Sequence, residues 1–317
     1  MQSDEADVSP PRVEWPTVAL AVLIYSAWLA LTYFHQSVPL ILLPAFGGLL
    51  LAWHGSLQHE VMHGHPTRIK AVNTAVGFPP LSLWLPYLRY RQTHLRHHLD
   101  ERLTDPLDDP ESNYWTPEQW AGLGTFGRGL VRAQATLLGR MLIGPLWSVT
   151  RFWRFDIEGL IQGREGLRRI WAQHLAGVAV VLWWVSGVCG MPLWLYILAF
   201  VYPGAALSLV RSFAEHKADS AVERRTAIVE RSWFFGVLFL FNNLHAAHHM
   251  RPTIAWYRLP RWYAAHRATL VERNGGLVYS GYADVFRRFF LTAYQQAVHP
   301  VAPRAEPPAE AARQTAV

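Results

Sequence analysis

Along the chain, long stretches almost free of polar residues alternate with long stretches where charge and histidine concentrate. Four apolar runs stand out: Pro16 to Phe34, Val38 to Trp53, Trp171 to Gly187 and Pro192 to Val210. A helix needs roughly 20 mostly apolar residues to cross about 30 Å of hydrocarbon, so all four are predicted to span, the second and third near the short limit. Only a few residues separate the members of each pair. The pattern therefore predicts an all-α, multi-pass membrane protein with four transmembrane helices in two hairpins and a helical cap outside the bilayer. Phe78 to Leu88, interrupted by Pro79, Pro80 and Pro86, and Trp233 to Leu244 are too short to cross. They are read as surface or re-entrant elements that press the polar helices against the bilayer. The domain reading is a polar segment over 1–15, one membrane-embedded domain over 16–300, and a disordered tail over 301–317 rich in Ala, Pro and Glu.

Composition agrees with lipid contact. Of the 317 residues 51% are hydrophobic and only 16% charged, against about 25% charged in a soluble globular chain. The net charge of +6 would suit nucleic acid, anionic lipid or an acidic partner; the apolar runs favour lipid, and no nucleic-acid partner is expected. The short turns at His35 to Ser37 and Val188 to Met191 hold no Lys or Arg, whereas Gly55 to Ile170 and the region after Arg211 hold nearly all of them. By the positive-inside rule both termini and both long segments are expected in the cytoplasm; with no evident eukaryotic retrieval signal, a bacterial inner membrane is expected. The first fifteen residues lack the basic start and cleavage site of a signal peptide. Cys189 is the single cysteine, which excludes an internal disulfide and any Cys-based zinc or iron–sulfur site.

Any metal must then rest on histidine and carboxylates. Eight of the 15 histidines fall into three groups: His59 and His63; His94, His97 and His98; His245, His248 and His249. Spacings of three and four place side chains on one helix face about a turn apart, so that two imidazoles can converge on one ion. Eight imidazoles exceed the four of a closed structural zinc site and suffice for two ions; the donor set suits iron, zinc or copper. His54 and His65 flank the first group off its shared face and are given supporting roles. His35, His174, His266 and His299, each isolated, are read as ordinary hydrogen-bonded residues. Glu215 and Asp100 are candidates to accept the second N–H of a metal-bound imidazole. The acidic run Asp105 to Glu111 is read as a solvated loop or a surface for an electron donor.

H-x3-H, H-x-x-H-H and H-x-x-H-H, in that order beside paired apolar runs, resemble the integral-membrane fatty acid desaturase and hydroxylase superfamily over roughly Trp53 to Pro260. The phrases around His59 to Gly64, Arg211 to His216 and Asn242 to His249 carry the same resemblance. It implies a non-haem centre of two iron ions with O2 as co-substrate, and a ninth ligand ahead of the last box, a place His216 fits. Some relatives hold a metal-bound water with an Asn one turn earlier; this chain has Ser212 there, leaving Asn242 or Asn243 to serve.

The implied reaction introduces a double bond into a fatty acyl chain of a membrane lipid, with hydroxylation or ketolation of a carotenoid or alkyl chain as the alternative. A non-enzymatic metal binder or transporter is a remote third reading, because transport sites belong near the bilayer midplane. The chain offers no dinucleotide fingerprint or haem domain, so two electrons per turnover are expected from a separate ferredoxin, rubredoxin or cytochrome-type donor. Arg89, Arg91, Arg96, Arg102 and the stretch 164–169 form a basic surface that suits phospholipid contact first and donor docking second.

Overall fold

A computed structural model describes residues 11–99 and 102–301. Asp100 and the tail from 302 onward lie outside them. The chain is predominantly helical, as the apolar periodicity demands. In order the helices are α1 (Trp15–Tyr33), α2 (Leu43–Met62), α3 (Lys70–Gly77), α4 (Tyr87–His97), α5 (Pro117–Gly122), α6 (Thr125–Gln134), α7 (Leu137–Leu142), α8 (Gly144–Ile161), α9 (Leu167–Val188), α10 (Leu193–Phe213), α11 (Trp233–Leu238), α12 (His245–Met250), α13 (Leu259–Arg273) and α14 (Tyr282–Phe289).

Three helices among the described residues, not four, are long and apolar enough to cross a membrane: α1, α9 and α10. The expected second span fails for a physical reason. Residues 39–42 form a turn rather than helix, and the apolar half of α2 ends at Trp53, after which the helix carries His54, Gln58, His59 and Glu60. Those polar side chains are all buried, so the second half of α2 is enclosed by protein where a lipid-facing helix would be apolar.

Around α2 pack α1 and α10, with a core of Ile24, Leu43, Leu57, Met191, Tyr196 and Phe200. Helices among lipid tails gain little from apolar burial against each other and rely on close backbone approach. Here that approach is extreme: a Cβ on Gly47 would lie 2.4 Å from the Ala199 carbonyl, and one on Gly204 would lie 2.5 Å from Leu51 Cβ. Several polar groups in this layer are paired, which a medium without water favours. Trp28 Nε1 donates to Tyr196 Oη at 3.0 Å, which donates to the Leu81 carbonyl at 2.7 Å.

The polar layer is built on shorter elements. Strands β1 (Ile228–Val229) and β2 (Val278–Tyr279) pair in parallel, Ile228 opposite Val278. β1 also grips the segment before α12, through Val229 N to the Asn243 carbonyl at 2.8 Å and Ala246 N to the Ala227 carbonyl at 3.1 Å. Leu240 (φ 50°) and Phe241 (φ 57°) stand in the left-handed region just before it, a conformation that side chains of this size adopt only when surrounding packing enforces it. The two short apolar runs end as turns, Pro79 to Pro86 and the segment after Leu238. Glu14, at the end of the polar amino-terminal segment, is packed: it is buried, its N–H donates to the Pro66 carbonyl, and its carboxylate meets His65 Nδ1 at 2.7 Å.

Candidate metal centre

Each predicted histidine group sits at the end of an element the core holds rigidly. His59 and His63 end α2, His94 and His97 lie in the last turn of α4 with His98 as its cap, His216 follows α10, and α12 carries His245, His248 and His249. The structure brings all nine together in two clusters. One contains His59, His63, His94, His98 and His248; the other contains His97, His216, His245 and His249. Within each, one donor atom per residue lies within 4.8 Å of the rest.

The two H-x-x-H-H motifs interlock. In α4 the first and third histidines, four apart, face the five-histidine cluster while His97 turns to the other. In α12 the assignment reverses: His245 and His249 share the four-histidine cluster and His248 crosses over. Residues four apart on a helix lie nearly above one another, whereas the residue between them is rotated by about a quarter turn or less. That rotation suffices to aim neighbouring rings at two centres, and His98 and His249 stack where the clusters meet, ring centroids 4.3 Å apart.

Inside the first cluster His94 Nε2 lies 3.1 Å from His63 Nε2 and 2.9 Å from His98 Nε2, and His248 Nε2 lies 3.2 Å from His98 Nε2. In the second, His216 Nε2 lies 3.0 Å from His97 Nε2 and 2.9 Å from His245 Nε2. Three of the rings also have an acceptor on the outward nitrogen, which favours a proton there. His94 Nδ1 meets Glu111 Oε1 at 2.8 Å and His97 Nδ1 meets Asp109 Oδ1 at 2.8 Å. His245 Nδ1 meets Asn242 Oδ1 at 3.1 Å. A proton held on Nδ1 leaves Nε2 of these rings free to face inward as a donor, and a cation would draw together Nε2 atoms about 3 Å apart. Ligands about 2.1 Å from one ion and at right angles are about 3 Å apart. His59 Nε2, buried without a hydrogen-bond partner, is a further orphan that a metal would satisfy. The donor set thus fits two metal ions.

Electrostatics point the same way. Burial, with the crowd of neighbouring imidazoles, holds His98, His216, His245 and His248 below the ordinary histidine range. His97 departs from them: burial alone would lower it, but Glu111 and Asp109 outweigh that and raise it to about 9. Burial would raise Glu111, yet His97 and His94 beside it hold it ionised below the usual carboxylate range.

Around the clusters, Glu215 accepts from Asn242 Nδ2 at 2.9 Å, lies 3.6 Å from His245 Nδ1, and is 3.5 Å from Arg211 Nε. Asn242 thereby orients His245. Asn243 instead donates to the Val229 carbonyl at 2.6 Å and braces the turn. Ser212 lies 3.5 Å from the Leu209 carbonyl and reaches no histidine of either cluster. His54 and His65 stand outside both clusters, His54 near Tyr25 and His65 on Glu14. The isolated histidines behave as expected, His35 and His266 on backbone carbonyls of their own helical turn, His174 on Leu83 and His299 beside Thr104.

The acidic run requires correction. Rather than a solvated loop, it folds back on the clusters: Asp109 is buried at 4% exposure and, with Glu111, supplies the carboxylates that hold His97 and His94. The available signal was four carboxylates within a short proline-bounded loop just after a histidine box. Three of the arginines proposed as open basic surface are also paired, Arg89 with Asp156, and Arg96 and Arg102 with Asp108.

A family model for "Fatty acid desaturase" matches residues 36–281. A beta-carotene ketolase from Paracoccus sp. is 24% identical over 273 residues, covering 79% of this chain and 94% of that protein.

Proposed function

The chain belongs to the fatty acid desaturase family, and we propose that it is an O2-dependent membrane oxidoreductase that introduces a double bond into a fatty acyl chain at two iron ions held by its nine clustered histidines. The observation that carries the reading is the sorting of the three histidine boxes into two separate clusters of inward-facing Nε2 atoms. When bound, the metal pair supplies the reduction of O2 with two external electrons and the removal of two hydrogens from the chain. The balance is one O2, two electrons and two protons consumed per double bond, with two waters formed.

The chain's own residues do the positioning. Glu111 and Asp109 hold the protons of His94 and His97 on Nδ1 and so keep Nε2 available as donor. Asn242, itself fixed by Glu215, does this for His245. Arg211 offsets the charge of Glu215, so the second cluster is tied to α10. Electrons come from a separate donor, in keeping with a lone and buried Cys189. The four-histidine cluster and its partner face the cytoplasm of a bacterial inner membrane in this reading, with the substrate entering from the bilayer.

A second reading rests on the ketolase relative, which spans most of the chain: oxygen insertion into a carotenoid at the same centre. Mass spectrometry of lipids from cells expressing wild type or His97→Ala separates them. A product lighter than its precursor by two hydrogens supports desaturation. One that gains an oxygen while losing two hydrogens supports ketolation, and one that simply gains an oxygen supports hydroxylation. An identical product profile from wild type and the variant would refute oxidation at this site.

A further inference from the structure

Away from the histidines, a small cavity opens between α6, α7, α8 and the segment 295–297. Its polar lining is unusual for a pocket beside an apolar layer: Arg140, Arg151, Gln134, Asn113, Gln295 and Gln296, with no carboxylate among the described residues that form it. Arg140 is 7% exposed; its Nε donates to the Gln134 carbonyl at 3.0 Å and its guanidinium lies 5.8 Å from the Phe213 ring centre. No ion pair to Arg140 occurs among the described residues. Burial, added to by the charge of Arg151, pushes Arg140 down to about 10, still a cation at neutral pH. Arg151 uses Nη1 on the Ser112 carbonyl at 2.7 Å; burial disfavours its charge and the nearby Asp109 carboxylate in part offsets this.

The second observation is independent of charge. Gln134 is 6% exposed, and its Nε2 is buried without an acceptor. A buried amide donor left unmade costs roughly 1–3 kcal/mol, and Arg151 disfavours the charge of Arg140, which an anion beside both would relieve. The cavity is small, about 20 Å³, and open on one side, so an anion seated there lies partly outside it. Leu142 and Leu146, on the neighbouring α7 and α8, are 61% and 66% exposed, which places the pocket beside a surface that suits lipid.

We propose that this cavity is a phosphate-binding site, with Arg140 and Arg151 as charge partners and Gln134 Nε2 as the third donor. The phosphate belongs either to a phospholipid head group or to a free anion, and the chemistry of recognition is the same.

The test uses the metal-loaded protein in neutral detergent, as wild type, Arg140→Gln and Arg151→Gln. One arm follows thermal unfolding during titration with sodium phosphate against sodium chloride at matched ionic strength. The other counts phosphatidylglycerol retained by native mass spectrometry after delipidation and re-addition. Phosphate-specific stabilisation that needs roughly tenfold more phosphate in Arg151→Gln and vanishes in Arg140→Gln assigns a free anion. Retention of one phosphatidylglycerol by wild type alone, without a phosphate response, assigns a head group. Should Arg140→Gln fail to fold, Arg151→Gln still decides. No binding in either arm overturns the site, as does binding that both variants keep.

Discussion

Asp109→Asn probes the link between the acidic loop and the four-histidine cluster. The Asp109 carboxylate accepts from His97 Nδ1 at 2.8 Å and Glu111 N at 2.9 Å on Oδ1, and from Thr104 N at 2.8 Å on Oδ2. An asparagine that keeps Oδ1 on His97 turns its NH2 against the Thr104 N–H, a buried donor facing a donor, at a cost of about 1–3 kcal/mol. Flipping the amide relieves Thr104 but sets NH2 against His97 Nδ1. That favours the opposite tautomer, with a proton on the Nε2 that should bind metal. Loss of such a carboxylate partner typically lowers metal affinity about 10- to 100-fold, or roughly 1.4–2.8 kcal/mol. The assay is metal per chain after dialysis against graded chelator. Half of the metal should leave Asp109→Asn at about 10- to 100-fold lower chelator, while the other half keeps its wild-type midpoint. Glu111→Gln, beside His94, should move the other half. Unchanged midpoints in Asp109→Asn, or both halves moving together, would refute the reasoning.

Two further outcomes follow from packing and charge. Gly47→Ala places a Cβ 2.4 Å from a backbone oxygen, so α2 and α10 must separate. Thermal unfolding in detergent should show a loss of roughly 1–3 kcal/mol, and a wild-type melting curve would contradict the close contact. For the chelated protein, His98, His216, His245 and His248 are depressed in the fold, so the unfolded chain binds more protons below its own histidine range near 6.5. Stability should therefore fall as pH drops below about 6.5. His97, raised to about 9, acts oppositely, and its contribution disappears as pH rises through that value. Melting midpoints from pH 5 to 10 should trace a dome for wild type, and His97→Ala should lose its alkaline fall.

The histidine boxes were legible because their signal is local: spacing on a helix is a property of neighbouring residues. The eight box histidines converge as their spacing suggested, and His216, which only the resemblance pointed to, joins them. The partition was not legible, since whether His97 or His98 turns toward the second cluster depends on where α12 and His216 dock. The roles of Asp109 and Glu111, read as part of a solvated loop, were missed because a loop's return path is set by tertiary contacts, such as Thr104 N on Asp109 Oδ2. Asp100 lies outside the described residues. The span count failed at α2, where an apolar beginning resembled a crossing and the buried polar half that follows made the helix interior. Helical class, apolar helices long enough to cross a membrane and histidine clusters able to hold metal were legible from residue type and spacing.

The glycine crossing between α2 and α10 bears on how the enzyme meets membranes of different thickness. Both helices deliver histidines from the same ends, α2 to the five-membered cluster and α10, through His216, to the four-membered one. Interlocked at Gly47 against the Ala199 carbonyl and at Gly204 against Leu51 Cβ, they cannot slide past one another without clash. A thinner or thicker bilayer is accommodated by tilting helices, at fractions of a kcal/mol per ångström, and here the pair must lean as one rod. The separation of the two clusters is thereby insulated from lipid composition, and cells that remodel their membranes would find this chemistry unchanged.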